Sequence, residues 1–161
     1  MKTPDIKILQ EKKLIGKRMI MSFVENKTFE LWSNFMPRRK EIINPISNDL
    51  FSIQFYDSSF NFSESDLHKP FEKWAAMEVS DFKTIPDGME TFTLHSGLYA
   101  VFYYKGLNTD TQIFQYIFGT WLPTSNYILD NRPHFEILGE KYKNNDPNSE
   151  EEIWIPLKIK K

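Results

Sequence analysis

Gly88-Met-Glu-Thr-Phe-Thr-Leu-His-Ser-Gly-Leu-Tyr-Ala-Val-Phe-Tyr-Tyr-Lys105 is the segment from which the fold is read. Gly97 and Gly106 bracket eight residues that hold four aromatics and two small aliphatics. Such a run predicts a buried β-strand over residues 99–104, with a glycine at either end to admit turn geometry. Alternation sets Tyr99, Val101 and Tyr103 on one face against Ala100, Phe102 and Tyr104 on the other. Downstream, Asn108-Thr109-Asp110 supplies a helix cap. Ile113, Phe114, Ile117, Phe118 and Trp121 then recur at helical spacing until Leu122-Pro123 ends the pattern. Two more strands are predicted over residues 135–138 and 153–159.

The same order stands upstream. Residues 14–22 read as a strand, and Asn26-Lys27-Thr28 as a cap. Phe29, Trp32, Phe35 and Met36 form a helical stripe that Pro37 closes, and residues 51–56 and 73–79 alternate as strands. Met36-Pro37 occupies the place of Leu122-Pro123, and Trp74 that of Trp154. The expectation is an α+β fold in one domain spanning residues 1–161, built from two strand–helix–strand–strand halves at about 6–82 and 85–161. Antiparallel strands would carry helices 28–37 and 110–121 on one side, leaving a concave groove along a pseudo-twofold axis. Residues 57–71, with their serines, and 143–152, with Asn144-Asn145-Asp146-Pro147-Asn148, read as polar loops.

Composition narrows the chemistry. Twenty basic and 22 acidic side chains give a net charge of −2, which is not the footprint of a nucleic-acid binder. The absence of cysteine removes disulfides, thiolate nucleophiles and Cys-ligated zinc. His68, His95 and His134 are scattered without metal-ligand spacing, so neither metal nor cofactor is expected. Arg38-Arg39-Lys40 follows a helix end, where cations complement the dipole. The N-terminus has no apolar leader core and no run reaches membrane-spanning length, so a cytoplasmic protein without a membrane partner is expected. Phe, Tyr and Trp make up 16% of the chain, enough for a sheet-rich core, an aromatic-lined pocket, or both.

Several side chains are candidates for that pocket. In Pro133-His134-Phe135-Glu136-Ile137-Leu138, alternation opposes Phe135 and Ile137 to His134, Glu136 and Leu138. If the first two pack under the helices, Glu136 points into the concave face; otherwise it is a rim carboxylate paired with a lysine such as Lys158. Ile153, Ile155, Leu157 and Ile159 share one face, leaving Trp154 on the other, as a groove wall or packed on loops. Trp74, Ala76 and Glu78 repeat that arrangement in the first half. An aromatic plane beside a carboxylate suits a flat organic cation. Phe102 and Tyr104 share a face that lines either the cavity or the core.

The order Gly-x-Tyr-Ala-Val-Phe, helix, Trp-Leu-Pro, Pro-x-Phe-Glu, Ile-Trp-Ile-Pro resembles the GyrI-like small-molecule-binding domain, the effector-binding part of AraC- and MerR-type regulators. The likeness runs from about residue 6 to 159 and is strongest from residue 85 on. It implies a tandem fold and a pocket glutamate, at Glu136, that meets cationic aromatic ligands. It also implies an aromatic over the pocket mouth, at Tyr127, with Trp121 nearby. The chain leaves no room for a DNA-reading module, so it resembles the stand-alone members and is expected not to bind DNA. The leading expectation is a monomer or weak dimer that captures a hydrophobic or cationic aromatic small molecule. A gyrase-type protein partner is a second reading. Hydrolysis of strained-ring genotoxic natural products, through Glu136 with Glu78 or Tyr104, is a third.

Overall fold

In the computed structural model, which describes residues 3–161, the alternating runs become strands. They are β1 (Asp5–Leu9), β2 (Lys12–Met21), β3 (Leu50–Phe55), β4 (Phe71–Val79), β5 (Glu90–Leu94), β6 (Gly97–Lys105), β7 (Tyr127–Leu129), β8 (His134–Leu138) and β9 (Glu150–Ile159). Helix α1 (Thr28–Phe35) tightens into a 3-10 turn at Met36–Glu41, because Pro37 has no N–H to extend an α-helical ladder. Helix α2 (Gln112–Tyr116) widens into a π-helical turn at Ile117–Trp121 and ends at Leu122–Thr124. Among the described residues no helix is long and apolar enough to cross a membrane.

All strand pairings are antiparallel, in the order β1-β6-β9-β8-β3-β4-β2-β5, with β7 added beside β9. The expected repeat is present: β2-α1-β3-β4 is followed by β6-α2-β8-β9. The two units join in mid-sheet, where β3 meets β8 and Ser52 stands opposite Glu136. Three strands were not anticipated. Tyr127, expected in a loop, belongs to β7 and pairs with Ile159. β1 pairs with β6, while β2, only two residues further on, pairs with β5. Leu9 faces Gly97 and Lys12 faces Leu94, so both ladders continue in one register across the links 10–11 and 95–96. The two ends of the strand order are thereby tied together, and the sheet curls on itself.

The curl gives the sheet an inner and an outer face. Leu14, Phe51, Ile53, Trp74, Tyr99, Val101, Phe135 and Trp154, drawn from both ends and the middle, form one buried cluster inside. Outside, α1 lays Leu31 and Phe35 over Ile15, Ala75, Met77 and Val79. α2 lays Ile113 and Ile117 over Ala100, Phe102, Ile153 and Ile155. Directly opposed residues of an antiparallel pair share a face. The sequence of partners Ala75–Ser52–Glu136–Ile153 therefore places both helices on the same outer face, as expected. Between them runs a groove whose floor is the β3–β8 seam.

Candidate functional site

That seam is where the polar side chains gather. β3 turns Ser52 and Gln54 outward, and β8 turns out His134 and Glu136, because Phe51, Ile53 and Phe135 are drawn into the inner core. Gln54 Nε2 donates to Glu136 Oε2 at 3.1 Å and to Ser52 Oγ at 3.0 Å. Lys73 on β4 lies opposite Gln54, and its Nζ donates to Thr28 Oγ1 of α1 at 3.1 Å. Glu151 on β9 stands two residues before Ile153, the partner of Glu136, and so occupies the same face. Among the described residues neither Glu136 nor Glu151 takes part in an ion pair.

Removal from water governs the protonation of this cluster. Burial, followed by repulsion from Glu136, pushes the Glu151 carboxyl up to about 8, with Lys73 opposing. Burial holds the Lys73 ammonium below its ordinary value against the pull of Glu136 and Glu151. The His134 imidazole, 7% exposed, is lowered to about 3 by burial. Tyr56 and Tyr142 are raised by burial first, and then by Glu136 and Glu151 respectively. Burial thus favours the neutral imidazole of His134 and the protonated carboxyl of Glu151 on this floor. Among the described residues no cluster of His, Asp and Glu could hold a metal ion.

Aromatic rings roof the groove. Phe62, from the loop between β3 and β4, stacks on Phe118 of the π-helical turn at 4.4 Å and 4°. Beneath them the His134 ring meets Tyr56 edge-on at 5.0 Å and lies 5.6 and 6.0 Å from Phe62 and Phe118. Phe62 has a φ of 56°, a left-handed conformation that a bulky side chain adopts at a cost. The π-turn likewise departs from regular helix to present Phe118. A cavity of about 380 Å³ is lined by Phe60, Phe62, Phe118, Leu122, Tyr127 and Lys160. Ser52, Gln54, Lys73, His134, Glu136 and Glu151 are not among its lining residues.

The residues singled out from the sequence divide between the two faces. Glu136 lies on the helix-bearing floor, reversing the expectation that Phe135 and Ile137 would pack under the helices. Those two point inward instead. Trp154, expected beside Glu136 as a wall, is on the opposite face, 8% exposed and stacked on Phe135 at 5.2 Å and 16°. Its Nε1 donates to Glu152 Oε1 at 2.9 Å. Trp74 is likewise inside, and Glu78, which shares its face, pairs with Lys12 at 3.4 Å. Strand parity forbids either tryptophan from sharing one groove with Glu136.

Phe102 is 2% exposed under α2, edge-on to Trp121 at 5.3 Å, and serves the core. Tyr104 turns its hydroxyl to donate to Leu107 O at 2.7 Å, away from Glu136. Tyr127 and Trp121 stack at 6.4 Å, and Tyr127 borders the outer cavity. Glu136 and Glu78 stand on opposite faces of the sheet. Sequence reading missed Gln54, Lys73 and Glu151, and set His134 on the face of Glu136 without giving it a role. Extending the comb Ile153, Ile155, Leu157 back by one step would have placed Glu151 under the helices.

Comparison with known proteins agrees with this architecture. A family model described as an integron-associated effector binding protein, Cass2, matches residues 5–157. No curated protein matches the sequence. Among solved structures, the chain is similar to SAV2435 bound to tetraphenylphosphonium, with 14% identity, 98% of this chain and 94% of that one covered, and a TM-score of 0.67. It is similar to the EcmrR C-terminal domain at 13% identity, 96% coverage of each chain and a TM-score of 0.69. It is also similar to a hydrolase encoded by lin2189 of Listeria innocua, at 11% identity, 97% and 92% coverage and a TM-score of 0.64. Identities this low establish a common fold alone. The match across residues 5–157 establishes the family: the chain belongs to the integron-associated effector-binding proteins of the Cass2 type, which are GyrI-like.

Proposed function

We propose that the groove between α1 and α2 binds a lipophilic organic cation, with Glu136 as its counter-charge. One observation carries this reading. Glu136 is a half-buried carboxylate whose hydrogen bond comes from a neutral amide, Gln54, and which takes part in no direct ion pair among the described residues, Lys73 acting on it only at longer range. Holding such a charge out of water is costly unless a cation completes it. Phe62, Phe118, Tyr56 and His134 supply aromatic surface around it, which favours a cation with aromatic or aliphatic bulk. The fold's likeness to a protein holding tetraphenylphosphonium supports the same ligand class.

The test is calorimetric titration with tetraphenylphosphonium and with a neutral isostere, tetraphenylmethane carrying a solubilising ether. Glu136→Gln is expected to weaken cation binding by about 1–3 kcal/mol, the loss of a charge-assisted contact. Binding of the neutral isostere should change far less. Equal losses for both ligands would mean that Glu136 shapes the groove without supplying charge.

A second reading is hydrolysis, favoured by one feature: Glu136 and Glu151 stand on adjacent strands and share a face. Two neighbouring carboxyl groups can divide the roles of a base that activates water and an acid that protonates a leaving group. Product formation beyond one equivalent from a ring-strained electrophile, lost in Glu136→Gln, would establish it. Stoichiometric binding without turnover would dismiss it.

A further inference from the structure

The groove holds two acids and one lysine, and the lysine forms a direct ion pair with neither: Lys73 Nζ donates to Thr28 Oγ1 at the start of α1 and acts on both carboxyls at longer range. Glu151 is the diagonal neighbour of Glu136 across the β8–β9 pair, at a backbone separation of about 7–8 Å that long side chains span. Two further side chains point to an occupant. The His134 ring, 7% exposed, makes no hydrogen bond among the described residues and faces Tyr56, Phe62 and Phe118. The Tyr56 hydroxyl, on a half-buried residue, likewise makes no hydrogen bond among the described residues. A polar group that reaches the surface without a protein partner takes one from water or from a ligand.

We infer that Glu151 is a second ligand-contacting acid of this groove, and that a permanent organic cation settling beside Glu136 displaces a proton from it. The inference rests on the cation-binding reading and adds to it a residue and a proton. The groups facing Glu151 are Glu136 from β8, Lys73 from β4, its register partner Tyr104 from β6, and Tyr142 from the segment before β9. Tyr104 donates to Leu107 O and Lys73 to Thr28, so neither hydrogen-bonds Glu151, although the Lys73 charge favours its ionised form from a distance. Without ligand, the loss of water and then repulsion from Glu136 favour the protonated Glu151 carboxyl. A cation between the two carboxyls reverses the sign of the local field. The Glu151 O–H bond then breaks, its electrons stay on the carboxylate and the proton passes to buffer. Two carboxylates then face Lys73 and the ligand, and the groove's charges balance.

A permanent cation carries no exchangeable proton, so any proton released on binding comes from the protein. Tetraphenylphosphonium is titrated calorimetrically into the full chain at pH 7 in phosphate and in Tris, whose ionisation enthalpies differ. Wild type should release close to one proton per ligand, and its dissociation constant should fall close to tenfold between pH 6 and pH 7. Glu151→Gln, which keeps the side-chain shape, should release none and show a flat profile over that range. Lys73→Met should retain the release. Binding by wild type with equal apparent enthalpy in both buffers overturns the inference and leaves the cation-binding reading standing. Release that survives Glu151→Gln and disappears in Lys73→Met assigns the proton to the lysine and overturns it too. Absence of any binding removes both.

Discussion

Replacing Trp154 discriminates between the two faces of the sheet as candidate binding surfaces. The indole stacks on Phe135 at 5.2 Å, meets Tyr99 edge-on at 5.8 Å and is 8% exposed. Truncating a buried tryptophan to alanine costs about 3–5 kcal/mol, because transfer free energy is lost and a cavity remains. The two aromatic contacts put Trp154→Ala toward the upper end, each adding about 0.5–1.5 kcal/mol beyond area. A domain of this kind is stable by only about 5–15 kcal/mol, so the variant should be marginal. Trp154→Phe is the informative partner: it keeps a ring on Phe135 and gives up the bond to Glu152, at about 1–2 kcal/mol. Urea unfolding measures both losses, and titration with tetraphenylphosphonium below the transition measures binding. The expected result is a clear fall in stability and an unchanged dissociation constant for Trp154→Phe. A folded Trp154→Phe that binds the cation tenfold more weakly would refute the reasoning and move the site to the inner face. Trp154→Ala with a loss under about 1 kcal/mol would show that the inner cluster is not packed around the indole.

Gly16→Ala should destabilise by more than about 2 kcal/mol, since an added Cβ would lie 2.7 Å from Ala76 Cα and closer still to the Ala75 carbonyl oxygen. Thermal melting measures it, and a loss within error would mean that β2 and β4 can part. Stability should also depend on pH in both directions. His134 titrates near 3 folded and 6.5 unfolded, so the unfolded chain is the better proton binder between those values and stability falls as pH drops. Glu151 titrates near 8 folded and 4.5 unfolded, so stability falls as pH rises from 4.5 to 8. The slopes, each up to about 1.4 kcal/mol per pH unit, oppose each other between the two unfolded values and leave a plateau there. Urea midpoints should show His134→Gln flattening the acid limb and Glu151→Gln the alkaline one; limbs unchanged in those variants would assign them to other groups.

Local pattern carried the fold a long way. The combs Ile153, Ile155, Leu157 and Ile113, Ile117 each encode one side of a two-body contact, and the structure joins them beneath α2. Pro37 and Pro123 mark where regular helix ends. The strands that escaped notice, β1, β5 and β7, are short, and β1 is largely exposed, so burial wrote little alternation into it. Their pairing depends on the curl, a long-range property that no window of sequence contains.

The site was only half legible for a related reason. Alternation assigns each residue a parity within its own strand, and it did separate Glu136 from Phe135 and Trp154 from Ile153. Parity says nothing of which face meets the helices, nor how one strand's parity maps onto the next. That mapping is register, and a slip of one residue exchanges the faces of an entire strand. Had Glu136 opposed Trp154, a glutamate beside a tryptophan would have formed a single groove. Instead Phe135 opposes Trp154, so Glu136 falls beside Ile153 and under the helices. Burial decides this: Phe135 and Trp154 stack inside with Tyr99, and Glu136 and Glu151 are left on the outer face. The register that fills the core thus also draws Glu136, Glu151, Lys73 and His134 onto one floor, although they lie far apart in the chain.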